Sequence, residues 1–260
     1  MCERNRIQDR VILIAALLAI ALAVPAFCMA QDPDAEFRRL ASQLATVRLA
    51  GGDDDPALLE KALALLDARI LNALSAAPSP DLDALNRSLA ALTTDNSPVS
   101  QTFRLSRIAA TPPVYALAAN FGLAGPSAVR IYAAVAGGYA LAARIDRSAQ
   151  KNFFDEYLEL VPFAAPAVVF VTITGRTDDL QTGSFAAWHF TGRAVEMVWS
   201  ADLLQQSSYE AAPNGFHLTY CSVTDDGNPR QCRRMTRDRF LWDAGGWKRV
   251  EQTPVPVPKR

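Results

Sequence analysis

Residues that often carry catalysis or bind metals are scarce in this 260-residue chain. It has two histidines, His189 and His217, and four cysteines, two of which lie in the first thirty residues. No His-x-x-x-His or Cys-x-x-Cys spacing occurs, which argues against a zinc site built from neighbouring ligands. No serine sits in a glycine-bracketed nucleophile elbow, and no glycine-rich phosphate loop occurs. The sequence therefore predicts no metal and no cofactor.

The sequence also lacks an excess of charge of either sign. It has 26 basic and 27 acidic residues, of which three arginines and two acids fall in the first thirty positions. A nucleic-acid partner requires a basic surface, and anionic lipid attracts polybasic segments, so neither interaction is expected. Half of the residues are hydrophobic, which is enough for a packed core.

Residues 1–30 have the layout of a cleaved signal peptide. Three arginines lie in the first ten positions, Val11–Val24 is uninterrupted apolar sequence, and small residues ending at Ala30 suit cleavage before Gln31. The alternative is a retained anchor, but fourteen helical residues span about 21 Å, short of the roughly 30 Å hydrocarbon core. We therefore expect a periplasmic or extracellular protein without a membrane span in its mature form.

The mature chain keeps Cys221 and Cys232, an even number that suits an oxidising compartment. Asp226-Gly227 lies at the midpoint between them, and Asp-Gly favours a two-residue type I′ hairpin. Counting outward from that turn places the two cysteines directly opposite each other, within reach of a disulfide. The spacing therefore predicts a hairpin closed by a structural Cys221–Cys232 bond.

Residues 31–95 have the apolar spacing of helices. Two stripes are separated by a break after which Asp55 precedes Pro56, the arrangement of an N-cap followed by proline at the first helical position. A third, shorter helix is expected to begin at Pro80-Asp81. Calcium binding by Asp53–Asp55 is an alternative, but no oxygen-ligand loop surrounds these residues. This region is predicted to be a small helical hairpin or bundle.

Residues 96–252 change to short β segments separated by glycine, proline and asparagine, and 253–260 form a proline-rich tail. Ten strands are expected, at Val114–Asn120, Ala128–Ala136, Tyr139–Asp146, Ala167–Thr174, Ser184–Thr191, Val195–Ser200, Ser207–Ala211, Gly215–Thr224, Gln231–Trp242 and Trp247–Glu251. No long helix intervenes to carry a parallel crossover, so the β region should be a mostly antiparallel meander. The predicted fold class is α+β, with a sandwich, an open barrel or a twisted sheet left open.

Two polar clusters are candidate functional sites. In the first, a loop places Arg176 beside Asp178 and Asp179, ahead of the strand that carries Trp188. Such a loop could hold a general acid and a second carboxylate, as in glycosidases, or it could be a polar hairpin turn. The second is a basic cluster on the cysteine hairpin and its neighbour, made of Arg230, Arg233, Arg234, Arg237, Arg239, Lys248 and Arg249. It either recognises an acidic partner or a carboxylated polymer, or it covers a solvated sheet edge and deters strand pairing.

The interpretation that fits these observations is an exported, non-enzymatic module that binds an unknown protein or a cell-envelope component. The alternatives are a secreted hydrolase that uses Asp178 and Asp179 and a carrier for an apolar ligand. A deep pocket at the 176–179 loop would favour the hydrolase, and an apolar cavity lined by the sheet would favour the carrier. A filled interior with flat faces would favour the binding module.

Cleavage of the signal peptide can be tested by mass spectrometry of exported material. Because residues 1–30 have the charged start, apolar stretch and small-residue end that signal peptidase requires, we expect an N-terminus at Gln31. Exported protein that still carries Val11–Val24 would contradict this expectation.

Overall fold

A computed structural model describes residues 32–46, 55–77, 79–93, 101–122, 125–147, 157–163, 168–175, 182–212, 214–226, 228–243 and 246–258. The chain divides into two compact units, Met1–Glu36 and Phe37–Arg260. In the first unit the described residues begin a helix, where the Asp34 N–H donates to Asp32 Oδ1 at 3.0 Å. The expected signal peptide lies outside the described residues. All described strands and most of the described helical residues lie in the second unit.

Three helices precede all described strands. They are α1 (Pro33–Thr46), α2 (Pro56–Ala76) and α3 (Leu82–Ala90). Asp55 caps α2, since its Oδ1 accepts the N–H groups of Ala57 and Leu58 at 2.9 and 3.1 Å. Asp81 caps α3 in the same way, accepting the Ala84 N–H at 2.9 Å. Both helix starts are therefore confirmed, with Asp55 acting as a cap.

The rest of the described chain is an antiparallel meander, which confirms the α+β class. The strands are β1 (Thr102–Ala110), β2 (Pro113–Asn120), β3 (Ser127–Val135), β4 (Gly138–Arg147), β5 (Tyr157–Pro162), β6 (Val168–Gly175), β7 (Gly183–Phe190), β8 (Val195–Leu204), β9 (Ser208–Ala212), β10 (Gly215–Asp225), β11 (Asn228–Asp243) and β12 (Gly246–Val255). Each strand pairs with its neighbours in sequence within three four-stranded sheets. We name these sheet A (β1–β4), sheet B (β5–β8) and sheet C (β9–β12).

All ten expected strands are present, whereas β1 and β5 were not predicted. In β1, Phe103 and Leu105 alternate as buried residues, but the next buried residue is Ile108. A bulge between Arg107 and Ala109 causes this change of parity and interrupts the alternation that marks a strand in sequence. Strand β5 has only six residues and therefore offers little periodicity.

The helices and sheets stack as successive layers around three hydrophobic cores. The first core joins the helices to one face of sheet A, including Leu63, Leu66 and Tyr132. The second joins the other face of sheet A to sheet B and includes Phe170, while the third joins sheet B to sheet C around Phe216. Sheets A and B therefore bury both faces, and sheet C buries one.

The cysteine pair forms the expected disulfide, with Cα atoms 5.8 Å apart. The expected register was wrong beyond the first pair, Asp225 with Asn228. Cys232 lies opposite Thr224, and Cys221 lies opposite Met235, because the register shifts between Cys221 and Asp225. The bond therefore joins cysteines that are offset along the hairpin.

Burial of aromatic residues explains the register that the hairpin adopts. The expected pairing would have placed Phe216 opposite Arg237, whereas in the structure Phe216 lies opposite Phe240. The two rings stack with centroids 4.8 Å apart and are 0% and 6% exposed. A slip in register changes which side chains face the core, so the shifts between Cys221 and Asp225 let both rings be buried while the Asp225–Asn228 pair beside Asp226-Gly227 is kept.

Strand β12 continues into the segment expected to be a tail. Thr253, Pro254 and Val255 pair with β11, and residues 256–258 extend beyond the strand. Pro254 is tolerated because β12 is an edge strand of sheet C, where a missing N–H on the outer side breaks no ladder bond.

Candidate functional site

The loop that carries Arg176, Asp178 and Asp179 lies outside the described residues, so its proposed role stays a prediction. The strands on either side of it are described, and Gly175 pairs with Gly183 at its base. The loop therefore joins β6 to β7 at one end of sheet B.

Trp188, the fourth residue assigned to that site, lies in the body of β7. Five residues separate it from Gly183, which corresponds to about 17 Å along a strand. It is half-buried against the core between sheets A and B, and its indole N–H donates to Thr172 Oγ1 at 2.9 Å. These contacts give Trp188 a packing role in the described part of sheet B.

The basic cluster on sheet C is largely neutralised by neighbouring carboxylates. The ion pairs are Arg233 with Asp225 at 2.7 Å, Arg237 with Glu210 at 2.6 Å, Arg249 with Asp238 at 3.3 Å and Lys248 with Asp243. Asp238 is 3% exposed and also accepts hydrogen bonds from Tyr220 and Gln252. The side chain of Arg230 is outside the described residues. The described members therefore form a surface of mixed charge.

A second ionisable cluster lies between α2 and sheet A. The Arg130 side chain, on β3, is 1% exposed, and its guanidinium lies 3.2 Å from Glu60 and 3.8 Å from Asp67. The Tyr132 hydroxyl, also on β3, donates to Asp67 Oδ1 at 2.7 Å. On β4, Arg144 reaches Glu60 from the solvent side at 3.4 Å. Glu60 and Asp67 are seven residues apart on α2, so the cluster follows two turns of the helix.

Burial shifts the pKa values of the inner members of this cluster. It raises the pKa of Asp67, an effect that the Tyr132 hydrogen bond and the Arg130 charge partly offset. Burial also raises the pKa of the Tyr132 hydroxyl, and the adjacent Asp67 carboxylate adds to that shift. Arg130 and Tyr132 are both shielded from solvent and their polar groups face α2, so a substrate has no access to them. The geometry suits attachment of the helix to the sheet better than acid–base chemistry.

Sequence reasoning did not identify Arg130 as important. The sequence feature that could have revealed it is a single arginine within an apolar strand, between Val129 and Ile131. A charge at such a position is rarely left unpaired, so a carboxylate partner on a covering element could have been expected.

The outward side of sheet C is a regular surface formed by four paired strands. The inward residues of β10 and β11 are buried, including Phe216, Leu218, Asp238 and Phe240. The residues between them point the other way and form rows across the four strands. One row is Glu210, His217, Arg239 and Glu251, and the next is Ser208, Thr219, Arg237 and Thr253. We call these two rows the outer face of sheet C.

Neither a metal site nor a membrane-spanning helix is found in the described part of the chain. No group of three or more His, Cys, Asp or Glu side chains converges there in a way that could hold a metal ion. Of the helices that the structure describes, none is both long and apolar enough to cross a bilayer.

The attachment role of Arg130 can be tested by urea denaturation of Arg130→Met, Asp67→Asn and the double variant. Arg130→Met leaves the half-buried Asp67 without its cation, while the exposed Glu60 keeps Arg144, so we expect a loss of about 3 kcal/mol, the lower end for a broken buried pair. Asp67→Asn keeps an acceptor for Tyr132 and should cost less, and the double variant should lose less than the sum. Arg144→Met, whose side chain is 59% exposed, is the matched control and should cost under about 1 kcal/mol.

The same variants should differ in their pH dependence. Because the folded-state pKa of Asp67 is raised, this group favours the folded state when protonated, and the contribution is lost as pH rises through the folded pKa. The stability of the native chain relative to Asp67→Asn should therefore fall as pH rises from near 4. Equal costs for Arg130→Met and Arg144→Met, or an unchanged pH profile in Asp67→Asn, would contradict this role.

Comparison with known proteins adds no functional assignment. No protein-family model, no curated protein and no solved structure matches the chain.

Proposed function

We propose that this chain is an exported, non-enzymatic binding module and that the outer face of sheet C contacts its partner. The observation that carries the proposal is the contrast between the two sides of this sheet. Its inner side is filled by aromatic residues, whereas Thr219, Arg239 and their neighbours form a solvent-facing surface across four strands. The Cys221–Cys232 bond fixes one end of the central β10–β11 hairpin of this surface.

The distribution of charge supports a protein partner. In the first row, acidic Glu210 and Glu251 flank His217 and Arg239. Arg237 of the second row forms an ion pair with Glu210 of the first. A polyanion such as nucleic acid or anionic lipid would meet repulsive carboxylates beside each arginine. A folded protein that presents both signs of charge can match the alternation. We therefore assign a protein of the cell envelope as the partner.

The packing of the interior supports a binding module over a carrier. Phe216 is fully buried, and the rings of Phe163, Trp199, Tyr209, Phe240 and Trp247 lie around it with centroids 4.8–6.1 Å away. Rings at these separations are in packing contact, so the space between sheets B and C is occupied by side chains.

Site-specific photo-crosslinking in cells that export the chain tests the proposal. A photoreactive residue at Thr219, in the middle of the outer face, should give one major crosslinked envelope protein. Excess unlabelled chain should compete with that product. Adding Arg239→Glu to the photoreactive chain should reduce the yield of this crosslinked product at least about tenfold. The substitution places a third acidic side chain in a row that already holds two.

Met197 provides the control position. It lies on β8, outside sheet C, and is 58% exposed, so the same photoreactive residue there should not give that product. Equal products from Thr219 and Met197 would contradict the proposal. A hydrolytic activity that Asp178→Asn or Asp179→Asn abolishes without loss of folding would contradict it as well.

A further inference from the structure

One side chain of α3 forms hydrogen bonds to the backbone of an edge strand. Strand β1 is the first strand of sheet A and pairs with β2. The Asn86 Nδ2–H donates to the carbonyl oxygen of Leu105 at 3.0 Å, and the Leu105 N–H donates to Asn86 Oδ1 at 2.8 Å. The amide of Asn86 therefore forms a reciprocal pair of bonds with the backbone of one residue in the middle of β1.

These two bonds are the bonds that a neighbouring strand would make. In an antiparallel ladder, alternate residues of an edge strand point both their N–H and C=O groups away from the sheet. Leu105 is such a residue, since both of its groups reach α3. By the same alternation, the backbone groups of Phe103 point outward too. The Asn86 amide thus takes the place of one residue of a further strand.

We propose that Asn86 seals this edge of sheet A and that the edge, once open, pairs with β1 of a second copy of this chain. The seal opens when both amide bonds break and α3 moves off the strand. Two copies of β1 then join their sheets in an antiparallel pair with Leu105 at its centre. This inference is independent of the proposed function, which concerns sheet C.

The sequence of β1 is compatible with pairing to itself. With Leu105 opposite its counterpart, Arg104 faces Ser106 of the other copy, and Phe103 faces Arg107. No two like charges are opposed in this register. The pairing also keeps Phe103 and Leu105 on one face of the joined sheet, as they are within sheet A.

The seal can be weakened without removing the helix from the core. Leu85 and Leu89 of α3 are 8% and 0% exposed and belong to the core between the helices and sheet A. These two leucines still favour the closed state when the Asn86 amide is removed. Asn86→Ala should therefore let α3 leave the strand more often while the rest of the chain stays folded.

Hydrogen exchange and sedimentation of the purified full chain test this inference. At a protein concentration low enough to keep Asn86→Ala monomeric, its Leu105 amide should exchange at least about tenfold faster than in the native chain, because its acceptor is gone. The variant should also form a dimer whose fraction rises with concentration. Arg87→Ala, at the neighbouring exposed position of α3, is the control and should match the native chain in both measurements.

Either of two results would overturn the inference. Unchanged exchange at Leu105 would show that Asn86 does not protect the edge, and faster exchange without dimer formation would rule out a second copy as the occupant. If Asn86→Ala does not fold, Asn86→Asp replaces it, since the carboxylate still accepts the Leu105 N–H but cannot donate to the carbonyl. That variant should dimerise more weakly than Asn86→Ala but more than Arg87→Ala, and a fully monomeric Asn86→Asp would also overturn the inference.

Discussion

Sheets A and B must bury both of their faces, and the order of the layers depends on that requirement. In β6, Val169 and Val171 face the core shared with sheet C, whereas Phe170 faces the core shared with sheet A. Strand β2 is divided in the same way, with Leu117 toward the helices and Ala116 toward sheet B. A sheet that is apolar on both sides needs a cover on each side. The helices and sheet C supply the two outer covers.

This arrangement decides which polar groups are available to a partner. Within the inner layers, Arg130 faces α2 and is paired with Glu60 and Asp67, so its charge is used in packing the helix against the sheet. Sheet C has no layer of the described chain on its outer side, and its alternating polar residues are the pattern of a sheet with one solvated face. The proposed binding role rests on this difference between the inner sheets and sheet C.

The sequence predicted the elements well where a local rule governs them. Asp55 and Pro56 predicted the start of α2, and alternating or continuous apolar runs predicted ten of the twelve described strands.

Prediction failed where packing between residues that are distant in sequence decides the structure. The register of the cysteine hairpin follows the stacking of Phe216 on Phe240, a contact that turn chemistry does not encode. The partners of Arg130 are about seventy residues away in sequence, so local pattern did not reveal them. The 176–179 loop was predicted as a candidate site from an arginine beside paired carboxylates between two strands, and it lies outside the described residues.

Native-state hydrogen exchange measured strand by strand tests the layered account most directly. Backbone amides of β2, β3, β6 and β7, the central strands of the doubly covered sheets, should exchange only through global unfolding and should be the slowest in the chain. Amides of β10 and β11, which are central strands of the singly covered sheet C, should exchange faster. If β10 and β11 were protected as strongly as β6 and β7, or more strongly, burial of both faces of sheets A and B would not be the constraint on which this fold depends.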